Sequence, residues 1–209
     1  FRLGRAFMVM LGAAALAKHL GFSQSPLFEV IIPMTETAKE MVDIEEAFAE
    51  IASLKHPLFE VEKMPLKHIE VLPLFEEPRT IIFSNRILRQ YLLSHEEKFG
   101  KAPPYIRPFL ARSDPALNSG IVPTMISIKI ALSRYRDFEK KHKIKLFPVV
   151  GVGTLPFRGG INPLCIQDFI NEYKGVRTAI IQSAFRYDFP KDDVKRAIKE
   201  LQKHLPKGQ

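Results

Sequence analysis

The chain has 209 residues, 46% of them apolar, with a formal net charge of +8 and one cysteine. This length and apolar share fit one large domain or two small ones with a real core, and exclude a disordered chain. The lone Cys165 excludes an internal disulfide framework and a multi-cysteine metal centre, suits a reducing, cytoplasmic setting, and reads as structural. The basic balance fits nucleic acid, an anionic membrane or small anionic ligands. Many of the cations, however, lie among acids, as in "RYRDFEKKHKIK" (134–145) and residues 190–209, which reads as solvated helix faces.

The first 22 residues set a basic start before an apolar stretch with small residues, as a signal peptide does. Lys18 and His19 interrupt that stretch too early for a membrane span, and Phe7, Met10, Leu11 and Ala14 recur at helical spacing. The segment therefore reads as an amphipathic globular helix. With no initiating Met, the chain reads as a piece of something longer.

Short apolar runs then alternate with helical patterns. A strand over 27–33 leads to a helix over 35–55, with Thr35 or Thr37 as cap and Glu36 and Glu40 near its positive end. After an irregular connection at 56–67 come a strand over 68–76 and a helix over 79–100, stopped by Gly100. Strands over 105–114, 145–153 and 176–185 follow, each with a helical partner, at 122–142, 165–175 and 192–205. Near-continuous apolar runs suit strands buried on both faces, and the repeated order means βα units around a parallel sheet. The fold class is α/β: about five βα units, belonging either to a (β/α)8 TIM-type barrel that is incomplete in this chain or to an open doubly wound sheet. No linker divides the chain, so residues 1–209 read as a single partial domain.

In parallel α/β folds the chemistry sits where strands end. The five exits carry Met34 and Thr35; Glu76 and Glu77; Arg112, Ser113 and Asp114; the stretch Gly151 to Gly160 with Arg158; and Gln182, Ser183 and Arg186. Two carboxylates from neighbouring strands can hold Mg²⁺, arginine forks suit carboxylate or phosphate, and glycines let backbone N–H groups approach an anion. Together these suit an enolate-type reaction on a small anionic acid. Each also has a plainer reading. Glu76 and Glu77 can be charges at a helix N-terminus, Asp114 a cap or turn residue, the glycines turn formers and Arg158 a surface residue. Arg177, at a strand start, belongs to the far end of the sheet, and the histidines receive no role.

Three stretches in order, "ARSDPALNSG" (111–120), "GVGTLPFRGG" (151–160) and "QSAFRYD" (182–188), resemble the archaeal-type phosphoenolpyruvate carboxylases, and the resemblance spans nearly the whole chain. It implies a (β/α)8-barrel carboxy-lyase seen as a central fragment. Such an enzyme joins bicarbonate to phosphoenolpyruvate with Mg²⁺ or Mn²⁺ and without biotin, giving oxaloacetate and phosphate through carboxyphosphate and a metal-stabilised enolate. A cytoplasmic homotetramer in carbon dioxide fixation, with no nucleic-acid or membrane partner, is implied as well. A fainter similarity to the larger bacterial and plant-type enzymes, in "PLFE" (73–76) and "SD" (113–114), implies that Glu76 and Asp114 bind the metal. Arg158, Gly159 and Gly160 hold the phosphate, Arg158 and Arg112 are the catalytic candidates, and Gln182 and Arg186 complete the substrate pocket.

Three departures stand against the larger bacterial and plant-type enzymes. Leu117 stands where they carry a lysine, the glycine loop lacks its leading histidine, and their catalytic His-Pro motif has no counterpart in "LKHPLFE" (54–60), so His56 takes no role. The fragment alone is expected to be inactive. The alternatives are another Mg-dependent lyase or aldolase of the phosphoenolpyruvate/pyruvate group and a basic nucleic-acid-binding module.

Overall fold

The computed structural model describes residues 2–54 and 66–208. The connection expected at 56–67, with His56 in it, lies outside the described residues except for its last two positions.

The chain opens with helix α1 (Arg2–His19), followed by strand β1 (Glu29–Ile32), α2 (Ala38–Ser53), β2 (Glu70–Phe75) and α3 (Pro78–Phe99). Next come β3 (Phe109–Ala111), α4 (Ser113–Ser119), α5 (Ile121–His142), β4 (Val149–Gly151) and α6 (Ile166–Glu172). The last elements are β5 (Thr178–Ile180), α7 (Ser183–Tyr187) and α8 (Lys191–His204). The strands form one parallel sheet in the order β1-β2-β3-β4-β5. Each βα unit therefore steps one strand in the same direction. A doubly wound sheet reverses direction at a switch point, and this order has no reversal. A five-stranded parallel sheet flanked by helices is compatible with part of a barrel.

Local chemistry explains the long helices. Thr37 caps α2 in a full capping box: its hydroxyl accepts from the Glu40 N–H, and the Glu40 carboxylate accepts from the Thr37 N–H. Gly100 ends α3 in a left-handed conformation at φ 70°, where a side chain would be strained. The main core lies between sheet and helices, with Leu110, Val150, Ile81, Leu88 and Ile128 fully buried. A second cluster seats Phe7, Met10, Leu11 and Ala14 of α1 against Phe48 of α2, so the first helix uses the apolar face its spacing indicated.

Several boundaries move. The strands expected over 105–114, 145–153 and 176–185 shrink to three residues each. Residues 113–119 and 183–187 are short helices that begin directly at the strand exits. Ile106 and Leu146 still bridge in parallel ahead of β3 and β4. Cys165 is exposed at the N-terminus of α6 and is not a core residue. Among the described residues, no helix is long and apolar enough to cross a membrane.

Candidate active site

The carboxyl edge of the sheet gathers most of the expected residues. A cavity of about 270 Å³ is lined by Glu76 from the end of β2, Arg112 and Asp114 after β3, Arg158 after β4 and Gln182 after β5. Glu76 and Asp114 also line a neighbouring cavity of about 290 Å³, together with Thr35, Glu36, Thr80 and Asn118. Residues up to 106 positions apart in sequence thus meet because successive parallel strands all exit on one side.

The two carboxylates differ in their support. Glu76 is half-buried, and its Oε2 accepts the Met34 N–H at 2.6 Å. Asp114 is exposed in the first turn of α4 and has no hydrogen-bond or ion-pair partner among the described residues. Among the described residues there is no group of three His, Cys, Asp or Glu side chains that could hold a metal. The donor set is therefore two hard oxygen ligands with no nitrogen or sulfur. That suits Mg²⁺ or Mn²⁺, which take one or two carboxylates and leave positions for water and substrate, and it does not suit a structural zinc.

The loop after β4 departs from expectation. Residues 156–158 form a 3-10 turn, and the loop's amides bond within it. The N–H groups of Arg158 and Gly160 donate to Leu155 O at 2.9 and 3.0 Å, and Gly159 N–H donates to Pro156 O at 3.1 Å. These N–H groups are not open to an anion. Gly159 and Gly160 instead serve shape, with φ of 111° and 70°. A Cβ on Gly159 would lie 2.4 Å from Val152 Cγ1, and one on Gly153 would lie 2.5 Å from Gln182 Oε1. What the loop presents to the cavity is the exposed Arg158, whose guanidinium lies 5.4 Å from the centre of the Phe157 ring.

Arg112, a catalytic candidate by motif, is 1% exposed. Its guanidinium donates to Tyr173 Oη at 3.1 Å, Phe157 O at 2.7 Å and Pro156 O at 3.5 Å. The fork that would grip a substrate is committed to the protein. Burial raises the Tyr173 phenol pKa, and the nearby Arg112 charge opposes that rise. Arg186 is exposed on α7 with its guanidinium 5.1 Å from the Tyr187 ring centre, and it does not line either cavity. Leu117 is 75% exposed on α4. Sequence reasoning placed Met34 at a strand exit but not its amide on Glu76, and it missed Tyr173, because the partners lie 42 and 61 positions apart and neither residue type signals a site.

A second polar cluster lies where α2 and α3 pack beside the start of β2. Tyr91 Oη donates to Glu45 Oε1 at 2.6 Å, and His95 Nδ1–H donates to Lys101 O at 2.7 Å. His95 Nε2 faces Glu45 Oε2 at 3.8 Å, and that oxygen has no hydrogen-bond partner. Burial pushes the Glu45 carboxyl up to about 8 and lowers His95. It also raises Glu70, where the Glu29 charge adds to the effect.

Fold and edge together define an α/β protein of the parallel-sheet class, with oxygen ligands and a guanidinium converging at the carboxyl ends of its strands. Residues 7–208 match a family model described as phosphoenolpyruvate carboxylase, and the chain belongs to that family. A phosphoenolpyruvate carboxylase of Oenococcus oeni is 41% identical over 209 residues, covering 100% of this chain and 41% of the relative. One of Leuconostoc mesenteroides is 40% identical over 206 residues, covering 99% and 41%. One of the archaeon Pyrococcus horikoshii is 38% identical over 182 residues, covering 83% and 37%. The chain spans about two fifths of the length of the curated relatives it matches.

Proposed function

We propose that these residues carry part of the active site of a phosphoenolpyruvate carboxylase. The reaction is the biotin-independent carboxylation of phosphoenolpyruvate with bicarbonate to oxaloacetate and phosphate. The observation that carries this reading is the convergence of Glu76, Asp114, Arg158 and Gln182 on one cavity at the carboxyl edge, in a chain of this family.

Glu76 and Asp114 would hold Mg²⁺ or Mn²⁺, which when bound neutralises charge developing on the substrate oxygens. Arg158 offers a planar fork to the phosphoryl oxygens, in place through bicarbonate attack and release of the enolate. Gln182 and Arg158 both close on Gly153, where a Cβ would lie 2.5 Å from Gln182 Oε1 and 3.1 Å from Arg158 Cβ, and both line the cavity as candidate substrate contacts. Gly159 and Gly160 allow the loop to turn this tightly. Arg186, exposed on α7 outside both cavities, would lie at the outer edge of the substrate pocket. The reading extends to a (β/α)8 barrel, of which residues 1–209 supply about five units as one partial domain. It extends also to a cytoplasmic tetramer.

The test is oxaloacetate formation by the full-length protein from phosphoenolpyruvate and bicarbonate, followed by coupled reduction to malate. Activity that needs a divalent ion and survives avidin is expected. A protein that binds Mn²⁺ normally but releases only pyruvate, without fixing labelled bicarbonate, would move the assignment to another lyase of the phosphoenolpyruvate/pyruvate group.

A further inference from the structure

A buried charge is ordinarily paired with an opposite charge. Arg112 departs from that rule: it is 1% exposed, and among the described residues it has no carboxylate partner. Its partners are two carbonyls and a phenol, drawn from segments 44 to 61 residues away.

The hydrogen-bond accounting of the loop shows what this arrangement does. Gly153 N–H donates to Arg158 O at 2.8 Å, Ile161 N–H donates to Gly153 O at 3.0 Å, and Arg158 and Gly160 both donate to Leu155 O. Those bonds close the turn on itself but leave Phe157 O facing inward. Arg112 Nη1 supplies its donor, and Nη2 reaches the adjacent Pro156 O. Meanwhile Nε is anchored on Tyr173, the residue that ends α6. The stem fits as closely: a Cβ on Gly159 would lie 3.1 Å from Arg112 Cγ. One guanidinium thus ties the exit of β3, the turn after β4 and the end of α6 to one another.

We propose that Arg112 is a positioning residue, which acts by fixing the 153–160 loop so that Arg158 projects over the carboxyl edge. The inference rests on the functional reading above for its kinetic arm and is independent of it for its structural arm. Lysine cannot replace it, because an ammonium on a flexible stem cannot reach two adjacent carbonyls and a phenol in one plane.

The experiment uses the full-length protein with Arg112→Lys, Arg158→Lys, the double variant and Tyr173→Phe. Arg112→Lys is expected to lower kcat/KM about 100-fold, the scale of a misplaced catalytic group. The double variant should fall little further than Arg158→Lys alone, since Arg112 works through Arg158. Losses that multiply would show that Arg112 acts independently of Arg158 and overturn the proposal. Hydrogen exchange supplies the second arm: amides at 153 and 158–161 should exchange faster in Arg112→Lys and in Tyr173→Phe, with α3 and α5 unchanged. Unchanged exchange at the loop overturns the proposal. Should the wild-type protein form no oxaloacetate, the functional reading fails, and the exchange arm alone decides the role of Arg112. If Arg112→Lys does not fold, Tyr173→Phe decides by the same two readouts.

Discussion

The carboxyl edge and the Glu45 cluster both bring charged side chains together, yet they treat them in opposite ways. At the edge, Asp114 and Arg158 stand exposed beside open cavities, and among the described residues no ion pair quenches them. In the cluster, Glu45 is 6% exposed, a phenol occupies one of its oxygens and burial drives it toward the neutral form. Desolvation removes charge and accessibility does not. A perturbed acid therefore marks a packed interior in this molecule, whereas the charges left unpaired and accessible lie at the strand ends.

The comparison can be broken most forcefully at Asp114. In the full-length protein, Asp114→Asn should reduce turnover at least about 100-fold, the upper end of what partners behind a metal ligand cost. Mn²⁺ affinity should weaken in parallel, with the circular dichroism spectrum unchanged. Full activity would show Asp114 to be only a helix-start residue. Next comes Arg158→Lys, which keeps the charge and loses the fork. It should cost about 2–4 kcal/mol of transition-state stabilisation, measured as kcat/KM for phosphoenolpyruvate.

The cluster side is sharpened by pH. The Glu45 carboxyl lies at about 8 when folded, against 4.5 as its ordinary value, so the folded state holds this proton more tightly. The stability it contributes is complete below about pH 4.5 and is lost as pH rises through about 8, on the order of a few kcal/mol. Urea midpoints at about pH 5 and about pH 9 measure this loss. Glu45→Gln, neutral throughout, should flatten that dependence, whereas a slope unaltered in the variant would point to Glu70, which burial also raises; His95, lowered by burial, contributes with the opposite sign. The smallest effect lies outside both regions: Thr37→Ala removes the capping box and should lower stability by about 1 kcal/mol, read as a small drop in Tm.

Helix ends and strand exits were legible from neighbours in sequence. Thr37 with Glu40 and Gly100 announce helix ends within four residues, and Glu76 and Asp114 stand at the edge because strand exits follow from alternating elements. Short pieces misled. The strands expected to run to 114 and 185 end at 111 and 180, and their last expected residues instead open the short helices 113–119 and 183–187. Arg112 was legible as a residue near the site and illegible in its task, because Tyr173 lies 61 positions away and no periodicity links them. The loop glycines invited an open cradle of amides. Internal 3-10 bonding consumes those donors, an outcome that depends on Pro156 and the tight packing at Val152.

Met34 adopts φ 48°, a left-handed conformation that costs a residue with a side chain roughly 1–2 kcal/mol. The strained amide is the one that holds Glu76 Oε2 at 2.6 Å. Backbone strain at the first strand's exit is thus spent on aiming an acid of the second, and that acid has Oε1 left to give. In the proposed metal site Glu76 would thus act as a one-toothed ligand, and selectivity there would come from groups on the other strands.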